Sequence, residues 1–450
     1  MEKDYDIIIL GTGTAGRTFA DKVANSGLKI AIIDSGEYGG ISPPGGCDTK
    51  KVFTALAEVT DRSNRLIGKG MGIQNPLKID WPSLIEFKRT ATEECPERIE
   101  NHFIEMGIDA YHGKAYFENQ STVVVGESKL KGKHIFLATG SKPRKLNVPG
   151  EEYVTTSEEF MNTEKLPEKI IFVGGGHISL EFAHVARRTG AEVIILHRSE
   201  RLLRHSDADM VSLLVKATEA AGIKILMNKP VASIERDDNG FLVRTGSRSS
   251  TESETQSFLA DMIIHGAGRV PNIEGLHLEK AGIKIEKGAI AVDNYMRTSN
   301  PQVYAGGDCV SEGMKLNSVA ALQGEVAAAN ILNENSVEID YTGIPSAVHT
   351  IPVLASVGTS AAKDSDKYKV TFRDRSNWYT TRKEGMEFAA SKVIIDEAND
   401  RIVGAYILGP NAGEAINIFA AVMRLGLKAS EVKKLVFTYP TTCSDIPYML

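Results

Sequence analysis

Gly11, Gly13 and Gly16 follow the apolar run Asp6-Ile7-Ile8-Ile9-Leu10 and open a helical stretch to about Ser26, and Asp34 closes a second apolar run, Ile30 to Ile33. Glycines at these spacings let the backbone approach a pyrophosphate, whose charge a helix N-terminus stabilises; an acid ending the next strand accepts ribose hydroxyls. The same arrangement recurs where the strand Lys169 to Val173 runs into Gly174-Gly175-Gly176-His177-Ile178-Ser179, a helix through Arg188, and a strand from Val193 to Leu196. Two such units imply two dinucleotides. Ser179 in the third glycine's place predicts looser helix–strand packing but keeps the two glycines nearest the phosphate. The second unit ends in His197-Arg198, followed by Arg201 and Arg204, instead of an acid, so a 2′-phosphate is paired rather than repelled and NADPH is favoured over NADH. Four cysteines, Cys47, Cys95, Cys309 and Cys443, form no C-x-x-C and no metal-ligand cluster with the scattered histidines. No metal site is expected; thiol chemistry at one position stays open.

The elements that must hold these groups can be read in outline. Ile263 to Asn272 and Val303 to Asp308 are each an apolar strand running into glycines, and Asp308 at a strand end suits hydrogen bonding to a polyol or ribose hydroxyl. From about Tyr341 the pattern changes to alternating strands at Lys392 to Asp396 and Ile402 to Ile407, then a helix from Glu414 to Leu425, the signature of an α+β domain. With 450 residues, several domains are expected, and 42% hydrophobic content builds sizeable cores. A net charge of −6 is no polybasic footprint for nucleic acid or anionic lipid. The acidic start Met1-Glu2-Lys3-Asp4 and the lack of a long apolar run predict a soluble cytoplasmic protein.

In this order the motifs resemble the flavoprotein disulfide reductases, the pyridine nucleotide-disulfide oxidoreductase family of glutathione reductase, dihydrolipoamide dehydrogenase and mercuric reductase. The marks, spread over nearly the whole chain, are Gly11 to Gly16 with Asp34, Gly39-Gly40, Gly113-Lys114-Ala115-Tyr116-Phe117, Ala138-Thr139-Gly140-Ser141 and Gly174 to Glu181. Gly268-Arg269-Val270-Pro271-Asn272, Gly307-Asp308, and Ile344-Pro345 through Gly358 complete the series. The resemblance implies an α/β chain with two Rossmann-like dinucleotide-binding domains, one for FAD (1–148 and 269–338) and one for NAD(P) (149–268). A C-terminal α+β dimerisation domain (339–450) would build a homodimer with a shared active site. It also implies that Gly11, Gly13, Gly16, Asp34, Thr139, Gly140 and Asp308 hold FAD and that Gly174, Gly176, Arg198 and Arg204 hold the nicotinamide cofactor. Gly40, Lys50, Lys51, Ala115, Leu316, Ala320, Ile178, Gly268 and Arg269 are further cofactor positions by the same likeness. His177 falls where many relatives carry a tyrosine gating the nicotinamide pocket. Glu181 matches the acid that pairs with a lysine beside the flavin, here Lys50 or Lys51.

The chain departs from that family at its redox centre. Of the family's cysteine pair only Cys47 is kept, and Ser42 stands in the exchanging position; a serine cannot form a disulfide, so dithiol cycling is excluded. The family's C-terminal histidine is Tyr439, as in mercuric reductases, and its acid is Ser444, with Asp445 one place late. A phenol of ordinary pKa ~10 is a poor proton donor and acceptor at neutral pH. Cys47, at a helix start beside Lys50 and Lys51 but opposed by Asp48, remains a candidate thiolate. Relatives resembling coenzyme A disulfide reductase and peroxide-reducing flavoproteins give a one-thiol precedent. Cys443 is a candidate partner for Cys47 across the dimer. The catalytic candidates are therefore Cys47, Lys51, Glu181, Tyr439 and Cys443. The expected activity is an FAD-dependent NAD(P)H oxidoreductase. It would reduce a small disulfide or persulfide through Cys47, or pass electrons directly from flavin to a quinone, oxygen or metal ion. The alternative is a flavin-binding regulatory or interaction protein on the same fold.

Overall fold

The computed structural model describes residues 2–41, 46–92, 95–246, 255–334, 336–360 and 367–450, with the side chains of Cys47 and Asp48 outside that description. The chain divides into two compact units, the first made of Met1–Lys51, Glu86–Arg144 and Arg269–Tyr341, the second of Val52–Ile85, Lys145–Gly268 and Thr342–Leu450.

In the first unit the apolar runs become a parallel sheet in the order Asp109–His112, Ile30–Asp34, Glu2–Leu10, Ser128–Leu137, Val303–Ala305. Ile7, Ile8, Ile9, Ala31 and Ile32 are fully buried, which is why the strands show continuous rather than alternating hydrophobicity. The first half of Ser128–Leu137 also pairs antiparallel with Thr122–Val125, itself paired with Ala115–Phe117. Helix Thr14–Val23 packs on helix Asn317–Leu332, so closely that a Cβ on Gly324 would lie 2.5 Å from the Ala15 carbonyl oxygen. Phe19 stacks on Phe136 beneath them, 4.2 Å between centroids.

The second unit carries a four-stranded parallel sheet in the order Ile223–Leu226, Glu192–Leu196, Lys169–Val173, Met262–His265. A three-stranded meander of Val231–Asp237, Gly240–Thr245 and Gln256–Ala260 accompanies it. Residues 52–85 join this unit because Phe53, Ala57, Trp81, Leu84 and Ile85 share a core with Phe160, Phe172 and Phe182. The C-terminal part is a five-stranded antiparallel sheet in the order Pro345–Val348, Val353–Gly358, Arg401–Gly409, Ala390–Asp396, Tyr368–Asp374, covered by helix Ala412–Leu425. Lys392 of that sheet reaches Asp207 at 2.8 Å and Asp209 at 2.7 Å. Asp207 is also the N-cap of helix Ala208–Ala220, accepting the Asp209 and Met210 N–H groups.

No helix among the described residues is long and apolar enough to cross a membrane, and none of their His, Cys, Asp and Glu side chains form a group of three or more able to hold a metal ion.

Candidate nucleotide and redox site

The first glycine turn is built by exclusion of side chains. Gly11 has φ +104°, and a Cβ there would sit 2.2 Å from the Ala138 carbonyl oxygen; one on Gly16 would sit 1.9 Å from the Gly11 oxygen. Gly13 caps helix Thr14–Val23 with no side-chain bond to its first turn, so those N–H groups are left for an anion. Gly40, at φ +65°, folds back until its Cβ position is 2.7 Å from the Gly13 Cα. Asp34 ties the turn together. One carboxylate oxygen accepts the Thr12 N–H at 2.8 Å and the Thr12 hydroxyl at 2.6 Å, the other the Gly36 N–H at 3.0 Å. A carboxylate offers about four acceptor positions, so Asp34 keeps capacity for a ribose hydroxyl while fixing the loop.

The second segment supplies the rest of this cluster. Strand Arg269–Pro271 pairs with Ser141–Pro143, and the Asn272 N–H donates to the Gly140 oxygen at 2.9 Å. Arg269 donates to the Ser141 hydroxyl oxygen at 3.0 Å and to its carbonyl at 2.7 Å, and the Ser141 hydroxyl donates to Asp308 at 2.8 Å. Asp308 is thus aimed by a chain of two residues; Ser141 was not singled out from sequence, although its motif was. Gln323, also missed, is buried, accepts the Gly307 N–H at 2.7 Å, and donates to the Tyr341 oxygen at 2.8 Å and the Glu312 carbonyl at 3.2 Å. A glutamine in the middle of the otherwise mostly small and apolar helix Asn317–Leu332 was the available signal. Leu316 is the N-cap of that helix, again with no side-chain capping bond, and Ala320 lies beside Gly307. Thr14 donates to Asn317, joining the two helix starts. Thr139 adjoins Gly140, which has φ +66° and open space around its Cβ position; Ala115 lies in the short strand paired with Val125. Cys309 is buried against the Leu137 and Gly306 carbonyls, and burial pushes its thiol pKa up, as suits a packing residue.

The second turn repeats the logic with one substitution absorbed. Gly174 has φ +113° and its Cβ position is 2.2 Å from the Gly266 oxygen; Gly176 caps helix His177–Thr189 without a side-chain bond. The looser packing expected from Ser179 is offset opposite it, where Gly266 leaves room: a Cβ there would lie 1.8 Å from the Ser179 hydroxyl. His177 is exposed at the helix start and Ile178 half-buried. Beyond strand Glu192–Leu196, a polar cavity of about 460 Å³ is lined by Ser199, Glu200, Arg201, Arg204 and Asn228, and Arg198 is exposed next to Ser199. Gly268, at φ +103°, is the last residue of this segment.

The redox candidates are placed unevenly. Helix Cys47–Arg65 begins at Cys47; Ser42 lies outside the described residues, as does the Cys47 side chain. Lys50 is buried and Lys51 half-buried in the first unit. Glu181, in the second, is buried and accepts the His349 N–H at 2.7 Å. Tyr439 is 75% exposed. Neither neighbouring acid candidate serves it: the Ser444 hydroxyl folds back onto the Thr441 carbonyl at 2.6 Å, and Asp445 is held by fully buried Arg375 at 3.0 Å and by the Thr380 hydroxyl. Cys443 is half-buried, and burial, with Glu414 and Asp445 nearby, raises its thiol pKa.

Two nucleotide turns, each at the carboxyl end of a parallel sheet, together with a separate antiparallel C-terminal sheet, define a two-dinucleotide oxidoreductase. Residues 5–324 match the family model for pyridine nucleotide-disulphide oxidoreductases and residues 344–449 that family's dimerisation domain. The chain belongs to the pyridine nucleotide-disulphide oxidoreductase family, whose members use FAD with NAD(P)H, and is an NAD(P)H-dependent flavoprotein oxidoreductase. It is 31% identical to dihydrolipoyl dehydrogenase of Chlamydia muridarum over 455 residues, covering 98% of this chain and 95% of that one. It is 28% identical to glutathione reductase of a Nostoc species over 478 residues, covering 100% of both. Among solved structures it is similar to the Cu(II) complex of the HOCl-induced flavoprotein disulfide reductase RclA from Escherichia coli, with a TM-score of 0.87, 24% identity and 99% of each chain covered.

Proposed function

We propose that this chain is an NADPH-dependent flavoprotein reductase that works without a dithiol, delivering electrons to its acceptor directly from flavin or through Cys47 alone. The observation that carries this reading is the pairing of intact nucleotide turns with a dismantled acid–base end, where Ser444 and Asp445 are both engaged away from Tyr439. The first turn, with Asp34, Thr139, Gly140 and Asp308, fits FAD: its uncapped helix start and side-chain-free floor leave room for a pyrophosphate. Residues 1–148 and 269–338 would serve that cofactor, 149–268 the nicotinamide, and 339–450 a homodimer interface in a cytoplasmic enzyme.

The chemistry supplied by bound FAD is acceptance of a hydride from NADPH and its return as two electrons. This chain's own residues bind and orient: Gly174 and Gly176 admit the pyrophosphate, and Arg198 and Arg204 answer the 2′-phosphate. Cys443 is a weak candidate for exchange with Cys47, because its raised thiol pKa keeps it protonated at neutral pH.

Anaerobic stopped-flow mixing with NADPH should bleach the flavin within seconds, faster than with NADH at equal concentration. An acceptor screen of small disulfides, persulfides, quinones, oxygen, Cu(II) and Hg(II) then follows with the enzyme and its Cys47→Ala variant. Unchanged turnover in Cys47→Ala assigns the direct route, and lost turnover the thiol route. Protein that binds FAD yet is not reduced by either nucleotide supports the flavin-binding regulatory role instead.

A further inference from the structure

The arginine-lined cavity is shaped by a residue that does not line it. His197 directly follows strand Glu192–Leu196, where an acid would meet a ribose, and its side chain is buried. Its Nε2 lies 2.9 Å from the Arg201 carbonyl oxygen, so that nitrogen carries the proton and donates. Its main chain is pinned to the opposite wall: the His197 N–H donates to Leu226 at 2.9 Å, and its carbonyl accepts the Lys229 N–H at 2.8 Å. The Asn228 N–H in turn donates to Ser199. One residue therefore ties both walls, 199–204 and 226–229. The floor is equally closed. A Cβ on Gly175 would lie 2.3 Å from Leu202 and 2.8 Å from the His197 Nδ1, and the Gly175 carbonyl accepts the Leu203 N–H at 3.0 Å. Arg201 then donates to the Arg204 carbonyl at 2.5 Å.

We propose that His197 is the positioning residue that sets NADPH over NADH selectivity, by holding the Ser199–Arg204 loop so that Arg204 stands against the 2′-phosphate. This rests on the reading of that arginine cluster as the 2′-phosphate site. The imidazole touches no cofactor; it acts through the Arg201 carbonyl, and NADH, lacking the phosphate, is insensitive to the loop it sets.

Steady-state kinetics with both nucleotides on the flavin-loaded enzyme test this. Losing one hydrogen bond that orders the loop should raise KM for NADPH about fivefold in His197→Ala, with kcat and KM for NADH within about twofold. His197→Gln, whose amide N–H has equal reach to the carbonyl, should restore the NADPH value, and His197→Asn, which is too short, should not. Flavin content, compared by absorbance, certifies folding of each variant. Equal losses with both nucleotides, or no rescue by Gln, overturn the proposal. Arg204→Ala separates the two ideas: an unchanged NADPH-to-NADH preference there removes the arginine reading and this inference with it. A lost preference in Arg204→Ala beside a kept one in His197→Ala removes the inference alone.

Discussion

Replacing Gln323 by Leu removes the partner of the Glu312 carbonyl and strands two half-buried groups, the Gly307 N–H and the Tyr341 hydroxyl. Leaving one such group unpaired costs about 1–3 kcal/mol. Because the Gly307 loop carries Asp308, the expected result is flavin release at a lower temperature than in the native protein, read by flavin fluorescence on heating; release at the native temperature would refute the role. At Cys443 the sign runs through the thiolate. A pKa raised by burial and by nearby carboxylates leaves less thiolate at pH 7.5 than a free thiol has. Alkylation of Cys443 by iodoacetamide, followed by peptide mass spectrometry, should therefore lag behind that of glutathione at pH 7.5; equal rates would refute the raised thiol. At this scale the glycines, Asp34 and Asp308 were legible because backbone approach and carboxylate geometry demand those residue types at fixed spacings. Ser141 gave little signal, since it works through Arg269 and Asp308, which only the folded chain brings near.

Helix His177–Thr189 buries a polar face. Arg188 meets Asp61 at 2.5 Å; His184 accepts the Ile351 N–H at 3.4 Å and donates to the Thr218 hydroxyl at 3.1 Å. Asp61→Ala leaves the Arg188 guanidinium buried without its acid, a loss of about 3–5 kcal/mol, so its urea midpoint should drop far below that of a surface control such as Glu286→Ala. Burial, then the charge of Arg188, holds His184 well below the ordinary imidazole range. The unfolded chain therefore takes up a proton near its ordinary pKa of about 6.5 that the folded chain refuses. The contribution is present above that pH and lost as pH falls below it; His184→Gln should flatten the fall in denaturation midpoint between pH 7 and 5. Parallel strands were readable as unbroken apolar runs. The meander at 231–260 was not, because its strands are half-exposed and mix charged with apolar residues, as in Ser233-Ile234-Glu235-Arg236.

On the scale of the whole molecule, the C-terminal part of the second unit leaves Leu425 74%, Val436 97% and Tyr448 72% exposed, apolar side chains that a homodimer interface would cover. Sedimentation should give a dimer, and Val436→Glu should shift it toward monomer without changing the far-ultraviolet spectrum; a native monomer would contradict the homodimer reading. The switch to an antiparallel domain near Tyr341 was visible in the change of periodicity. The grouping of residues 52–85 with the second unit was not, because membership in a core depends on contacts such as Trp81 with Phe160 that no local pattern encodes. The ribbon of Ser141–Pro143 against Arg269–Pro271 has a further consequence. The chain leaves the first unit at Arg144 and comes back at Arg269 through two adjoining strands, so the intervening stretch is spliced in at a single doorway. Closing that doorway with a short linker costs little entropy, so the receiving sheet tolerates changes of length within 145–268; lifting the stretch out whole would instead strip Phe53, Trp81 and Leu354 of the core they share with Phe160, Phe172 and Phe182.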